Sequence, residues 1–201
     1  MRPCDPFLQK PGALLADHGY AADPGLPEQV EGCVLFYHYT RPEYLHVILA
    51  DGLYARRPVV WDRPPEIVGG YLLEGFLEPQ PKWLSASPYF GDLGLQMVKR
   101  YIGSTLLKVT VPLDYPGLYV ADYAHVLECK HVAIRGVSAL NLGYDCRDGR
   151  EVTLADVNSY VPLATYKGGH VAPVVTVVRT GQGIAIPAEY ISVAETAPDC
   201  L

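Results

Sequence analysis

A run of β-branched and aromatic residues that leads directly into a helix signal is the feature that most restricts the fold of this chain. Residues 34–39 read VLFYHY, a composition typical of a β-strand. Thr40 follows, and Glu43 three residues later completes the pattern of a capping box. Gly52 then marks the end of an apolar helical stripe. The sequence therefore predicts a strand over residues 34–39 and a helix over residues 41–50 that is capped by Thr40.

The rest of the chain alternates short apolar runs with turns that are rich in proline and glycine. The residue types of these runs predict further strands at 82–86, 105–111, 118–120 (at a sheet edge), 132–137, 174–179, 183–186 and 190–193. Helical spacing predicts helices at 93–101 and 121–128, while 67–73 and 154–157 fit either type of element. Because strands dominate the second half, an α+β fold is favoured over a doubly wound parallel sheet.

The first 32 of the 201 residues differ from the rest in composition. They contain five prolines and little hydrophobic periodicity, which is typical of an extended arm. Alone in water, the few apolar contacts within such a segment do not offset the conformational entropy that is lost on ordering, on the order of 1 kcal/mol per residue. The sequence thus predicts an arm over residues 1–32 and a single domain over residues 33–201. The arm packs either along a groove of the domain or on a partner protein or another copy of the chain, and its widely spaced apolar residues favour the partner.

Charge and hydropathy exclude several classes of function. The net charge of −6 and the isoelectric point near 5.4 argue against broad nucleic-acid binding, which requires clustered Lys and Arg. Arg56 and Arg57 fit either a phosphate contact or a solvated surface pair. No apolar run reaches the length of a membrane span, and no secretory signal is visible. We therefore expect a soluble protein, either cytoplasmic or part of a larger assembly such as a virion.

Metal binding is not expected, because the five cysteines form no CxxC pair and the histidines match no ligand spacing. Glycine-rich phosphate loops, GxSxG and HExxH are missing as well. The most suggestive residue is His38, which alternation places on the face of its strand opposite to Tyr37 and Tyr39. It stands two residues before a predicted helix cap, where side chains reach a cleft at a sheet edge. Such a histidine either packs there or binds a ligand.

The residues around His38 resemble the opening of ADP-ribosyltransferase-like domains. In those domains a strand that ends in His-x-Thr or His-x-Ser leads into a helix that closes on a Gly-Leu pair. Here His38, Thr40 and the segment LHVILADGL at 45–53 take these positions. The resemblance implies a split antiparallel α+β sandwich with NAD in its cleft. It also implies that His38 contacts the adenosine ribose of NAD, with Thr40 beside it.

Residues 82–101 partly resemble the second motif of the same family. In that motif an aromatic residue from a strand and a tyrosine from the following helix enclose the nicotinamide ring. The matching positions are Trp83 and Tyr101, with Tyr89 as a substitute for the tyrosine.

The third motif departs from the family pattern. A glutamate usually begins a late strand that runs on to a proline and an "eyI" segment, and residues 183–191 (GIAIPAEYI) resemble that strand. The glutamate position is occupied by Gln182, which has no negative charge to stabilise a cationic transition state. Either Glu128 or Glu151 supplies the acid, or the domain has lost transferase chemistry.

Two functions from different classes follow. One is an NAD-dependent transfer of ADP-ribose to a macromolecular acceptor, with nicotinamide as the leaving group. The other is a non-catalytic structural or interaction subunit of a larger assembly, which the arm and the 15 tyrosines favour. A transferase fold retained without its chemistry is the intermediate case. Convergence of His38, an aromatic residue and a carboxylate on one pocket is the arrangement that favours the enzyme.

Overall fold

The computed structural model of the chain describes residues 25–56, 65–86, 94–127 and 148–194. Within these ranges the protein consists mostly of antiparallel strands with a few helices, which confirms the predicted α+β character. The strands are β1 (Gln29–Val30), β2 (Cys33–Thr40), β3 (Leu53–Ala55), β4 (Tyr71–Phe76), β5 (Thr105–Pro112), β6 (Leu118–Asp122), β7 (Val161–Pro162), β8 (Pro173–Arg179), β9 (Gly183–Ile186) and β10 (Ile191–Val193). The helices are α1 (Leu45–Asp51), α2 (Pro65–Val68), α3 (Lys82–Ala86), α4 (Gly94–Tyr101) and α5 (Gly149–Asn158). None of these helices is long and apolar enough to cross a membrane.

One large antiparallel sheet organises the described residues. Its strand order is β10-β5-β2-β4-β8-β6-β7, and β1 also pairs with β2. β2 pairs with β5 along its whole length, and β4 does the same with β8. By contrast, β2 and β4 are joined through the single residue pair Tyr37 and Phe76. The sheet therefore has two fully paired parts that meet at a narrow junction between β2 and β4.

The edge of β4 that faces β2 has different partners along its length. Main-chain groups of residues two apart point to the same edge of a strand. At Leu72 this edge exchanges two hydrogen bonds with the main chain of Arg56, with N–O distances of 2.8 and 2.9 Å. At Glu74 the main-chain oxygen meets the ring of His38 at 2.8 Å. The His38 side chain therefore occupies the place where a continuous strand would pair.

Both faces of the sheet carry buried apolar side chains. One face, which includes Phe36 and Leu107, is covered by α1 and by the two-stranded sheet of β3 and β9. The opposite face, which includes Tyr39 and Val174, is covered by residues of α3, α4 and α5. Complete burial of a side chain such as Phe36 stabilises the fold by roughly 1.5–3 kcal/mol. Phe36 and Tyr39 thus lie on opposite faces of β2, as alternation along a strand requires.

The helix after β2 begins later than predicted and is not capped by Thr40. A 3₁₀ turn over Pro42–Tyr44 precedes α1, and Arg41 takes the capping position without a side-chain hydrogen bond. Thr40 instead ends β2 and pairs with Thr105 of β5. The capping-box prediction was wrong because this pairing extends through Thr40. Gly52 does end α1, with a φ of 110° that suits glycine.

Residues 82–86 form helix α3 and not the predicted strand. The Leu84 N–H donates to the Pro81 oxygen at 3.1 Å, a bond between residues three apart that belongs to a helical turn. Trp83 and Leu84 are neighbours, yet both are buried in the same apolar cluster. Alternation along a strand would send them to opposite faces. The five residues KWLSA are too few to show the periodicity of either element, and packing decided the outcome here.

The remaining strand and helix predictions are mixed. The strands predicted at 105–111, 174–179, 183–186 and 190–193 and the helix at 93–101 are confirmed to within a few residues. β6 lies between β7 and β8 and is not an edge strand. The segment at 67–73, for which either type was predicted, contains the end of α2 and the start of β4, and the segment at 154–157 belongs to α5. The helix predicted at 121–128 is observed only as a helical segment at 124–127, because residues 121–122 belong to β6. The strand predicted at 132–137 and residues 1–24 of the predicted arm lie outside the described residues.

Candidate functional site

A cavity of about 150 Å³ lies at the junction of β2 and β4. Side chains from both parts of the sheet and from α3 and α4 form its walls, and most of them are apolar. The lining residues are His38, Tyr39, Glu74, Gly75, Phe76, Trp83, Leu84, Val98, Ile102, Tyr123 and Val174. A concave, mainly apolar site with a few polar groups is the usual form of a small-ligand site.

His38 enters this cavity in a defined tautomer. Its Nδ1 lies 2.8 Å from the main-chain oxygen of Glu74. Because a carbonyl oxygen only accepts hydrogen bonds, Nδ1 carries the proton of the neutral ring and Nε2 keeps its lone pair. The site thus contains a histidine whose second nitrogen is a hydrogen-bond acceptor.

Burial keeps the His38 ring neutral. It lowers the pKa of His38 from the ordinary 6.5. The hydrogen bond to the Glu74 carbonyl opposes this shift, the charge of Arg56 adds to it, and the Glu74 carboxylate opposes it. The neutral form, which has the free Nε2, is therefore the form present at pH 7.

Glu74 is the acidic residue among the described residues that line the cavity. It lies near the middle of β4, opposite Thr176 of β8, and is half-buried. A half-buried carboxylate interacts with a nearby positive charge more strongly than one in bulk water. Glu74 therefore supplies a negative charge where a cation can be stabilised.

Aromatic side chains form a continuous wall of the cavity. Ring centroids are 6.0 Å apart for Tyr39 and Phe76, 6.1 Å for Phe76 and Trp83, and 6.2 Å for Trp83 and Tyr123. The Tyr39 hydroxyl donates to the Pro79 oxygen at 2.7 Å, which fixes one end of this wall. The arrangement offers flat apolar surfaces to a planar ligand group.

Gly75 makes room for this geometry. The pair of Tyr37 and Phe76 places His38 and Gly75 at the next position along the two antiparallel strands. A Cβ on Gly75 would lie 2.7 Å from the Tyr37 oxygen and 2.8 Å from Cδ2 of Phe36. Any larger residue would therefore push β2 and β4 apart at the cavity.

The structure brings together some of the residues predicted for NAD binding. His38 and Trp83 line the cavity, although Trp83 belongs to a helix and only 2% of it is exposed. Thr40 is buried at the end of β2 and does not line the cavity. Tyr101 is 63% exposed and does not line the cavity, whereas the next residue, Ile102, does. Tyr89 lies outside the described residues.

The predicted acids are not at the cavity within the described part of the chain. Glu151 is exposed in the first turn of α5, and Gln182 is exposed in the turn between β8 and β9. Glu128 lies outside the described residues. Sequence reasoning missed Glu74, although a lone acid inside the apolar run YLLEGF at 71–76 was a usable signal.

A second group of polar residues surrounds Asp122 at the end of β6. The buried carboxylate accepts hydrogen bonds from the main-chain N–H groups of Ala124, Val171 and Ala172 at 3.0–3.1 Å. Burial lowers the pKa of the nearby His125, while the charge of Asp122 opposes this and His170 adds to it. These residues are not arranged to hold a metal ion. The described ranges contain no group of three or more His, Cys, Asp or Glu side chains that could hold one. The cluster therefore fixes loops around the end of β6.

Searches against family models, curated proteins and solved structures gave no match to this chain.

Proposed function

We propose that the cavity at the β2–β4 junction binds NAD and that the chain is an ADP-ribosyltransferase-like protein. The observation that supports this most directly is the convergence of a neutral histidine, a carboxylate and an aromatic wall on one cavity. His38 also stands at the position that matches the family's first motif. The junction through one residue pair is in keeping with the split sandwich that the resemblance implies.

In this proposal His38 orients the substrate. Its Nε2 accepts a hydrogen bond from a ribose hydroxyl, and the bond from Nδ1 to the Glu74 oxygen holds the ring in place. Since burial lowers the pKa of His38, this acceptor is available at neutral pH. Phe76, Trp83 and Tyr123 contact the planar base, in place of the predicted pair of Trp83 and Tyr101.

Glu74 takes the chemical role that Gln182 cannot fill. The bond between C1′ of the nicotinamide ribose and the ring nitrogen breaks, and nicotinamide leaves with the bonding electron pair. The ribosyl cation that remains is stabilised by the Glu74 carboxylate, which acts across a mainly apolar space. An acceptor atom then attacks C1′ and releases its proton to solvent. The products are nicotinamide, ADP-ribosylated acceptor and one proton.

The decisive experiment titrates the purified protein with NAD. Calorimetry measures the binding, and a separate assay measures the rate at which nicotinamide is released. We expect saturable binding, which His38→Gln weakens. Glu74→Gln leaves binding largely intact and slows nicotinamide release by about 10²–10³-fold. Glu189→Gln is the matched control, because Glu189 is exposed in a 3₁₀ turn and does not line the cavity. An unchanged signal on saturation with NAD contradicts the proposal.

The binding-only form of the fold is the second candidate, and the exposure of Gln182 favours it. In that case NAD binds and His38→Gln weakens the binding. The wild-type protein then releases nicotinamide at the same rate as the Glu74→Gln variant. The role as a structural subunit, for example of a virion, stays a prediction that depends on residues 1–32. Analytical ultracentrifugation of the full chain and of a chain without residues 1–24 tests it.

A further inference from the structure

Arg56 lies at the far end of the β4 edge that forms the cavity. Its main chain exchanges two hydrogen bonds with Leu72, and Leu72 is two residues from Glu74. Two residues of a strand span about 7 Å. Arg56 is therefore held about 7 Å along the same edge from the point where His38 meets β4.

The side chain of Arg56 is exposed and forms no ion pair within the described residues. Its positive charge contributes to the lowered pKa of His38. No Lys or Arg occurs among the described lining residues. Arg56 is thus a described cation that the β4 edge holds beside the cavity.

We infer that Arg56 binds an anionic group, a phosphate or a diphosphate, of a ligand whose planar ring occupies the cavity. The planar fork of an arginine matches the oxygens of a phosphate with two parallel hydrogen bonds. A ligand with a ring at one end and a phosphate several ångströms away is a nucleotide. The inference rests on the proposed function, because NAD carries a diphosphate between its two nucleosides.

The test compares three ligands by calorimetry: NAD, ADP and nicotinamide riboside, which has no phosphate. Arg56→Gln is expected to weaken NAD and ADP by at least about tenfold and to leave the riboside unaffected. Arg56→Lys retains part of the affinity, since a lysine binds phosphate as a point charge. Lys167→Gln, which removes another exposed cation outside the lining residues, changes none of the three. The effect of Arg56→Gln shrinks at 1 M salt, where charges are screened within about 3 Å.

Each outcome separates this inference from the proposed function. If NAD binds wild type and Arg56→Gln equally, the function stands and the anion site is wrong. Should ADP bind in an Arg56-dependent way while NAD does not bind, the anion site stands and the proposed function falls. Equal loss of riboside binding in Arg56→Gln also overturns the inference, because the substitution then damages the cavity itself. If wild type binds none of the three ligands, both are wrong.

Discussion

The Nδ1 atom of His38 lies 2.8 Å from the main-chain oxygen of Glu74 and takes the place of a strand-to-strand hydrogen bond. A single contact therefore fixes the histidine tautomer and keeps β2 and β4 apart at the cavity. The regular pair between Tyr37 and Phe76 lies one residue from His38 on β2 and two residues from Glu74 on β4. Site geometry and sheet geometry are thus coupled at this one point.

Substitution of Gly75 by Ala is expected to destabilise the fold by about 1–3 kcal/mol, the usual cost of overpacking. The added Cβ would lie 2.7 Å from a main-chain oxygen of Tyr37, which has little freedom to move. Urea denaturation monitored by circular dichroism measures the change. Gly181→Ala is the control, because a Cβ there meets nothing within 4 Å. Equal stability of the two variants would show that β2 and β4 can separate without cost.

Stability is expected to fall as the pH drops below about 6.5. Burial lowers the pKa of both His38 and His125 in the folded state. Below the unfolded value of about 6.5, the unfolded chain binds protons that the folded chain does not, so the free energy of unfolding decreases. The loss continues until the pH reaches the folded values.

The substitution His38→Gln tests this loss of stability at low pH, because it removes one of the two buried histidines. It should flatten the dependence of the melting temperature on pH between 7 and 5. His46→Gln is the comparison, because His46 is exposed on α1. An identical pH profile in all three proteins would exclude His38 as a source of acid sensitivity.

The charges around His38 are expected to move its pKa in opposite directions. Arg56→Gln raises the pKa of His38, since the positive charge of Arg56 lowers it. Glu74→Gln lowers it, since the carboxylate raises it. Proton NMR titration of the His38 ring in the two variants measures both shifts. If neither variant changes the titration, the two side chains do not face the ring in solution.

Asp122→Asn is expected to destabilise the protein by about 2–4 kcal/mol. The carboxylate accepts from three main-chain N–H groups, and hydrogen bonds to charged groups stabilise more than neutral ones. An amide NH₂ in place of one carboxylate oxygen puts a donor where the main-chain N–H groups need an acceptor. Asp114→Asn is the control, because Asp114 is exposed before β6. A loss in Asp122→Asn no larger than in this control would show that the three bonds contribute little.

Local residue patterns predicted those elements whose periodicity is unambiguous. β2, β5 and β8 are runs of β-branched and apolar residues, and each was predicted from its own composition. The helix at 82–86 was not, because five residues carry too little periodicity and packing against the sheet selected the helix.

The candidate site was predictable only in part. His38 was found because it stands at the end of a clear strand. Glu74 was missed because its position depends on the pairing of β2 with β4, which are more than 30 residues apart. The lone acid in YLLEGF marks Glu74 as unusual, but the sequence does not show that Glu74 meets His38. Gln182 follows from the resemblance of residues 183–191 to the third motif, and Glu151 is a candidate on sequence grounds alone. The fold places both residues on the surface.

The narrow junction between β2 and β4 has a consequence for local unfolding. Strands that are paired along their whole length open together, whereas a junction made of the Tyr37–Phe76 pair and the His38–Glu74 hydrogen bond lets the two parts of the sheet open separately. Amide hydrogen exchange should then report two stability levels, one for β2 with β5 and one for β4 with β8. A molecule that touches His38 and Glu74 at once would tie these two units together. Its binding would be visible as a common exchange rate across the junction.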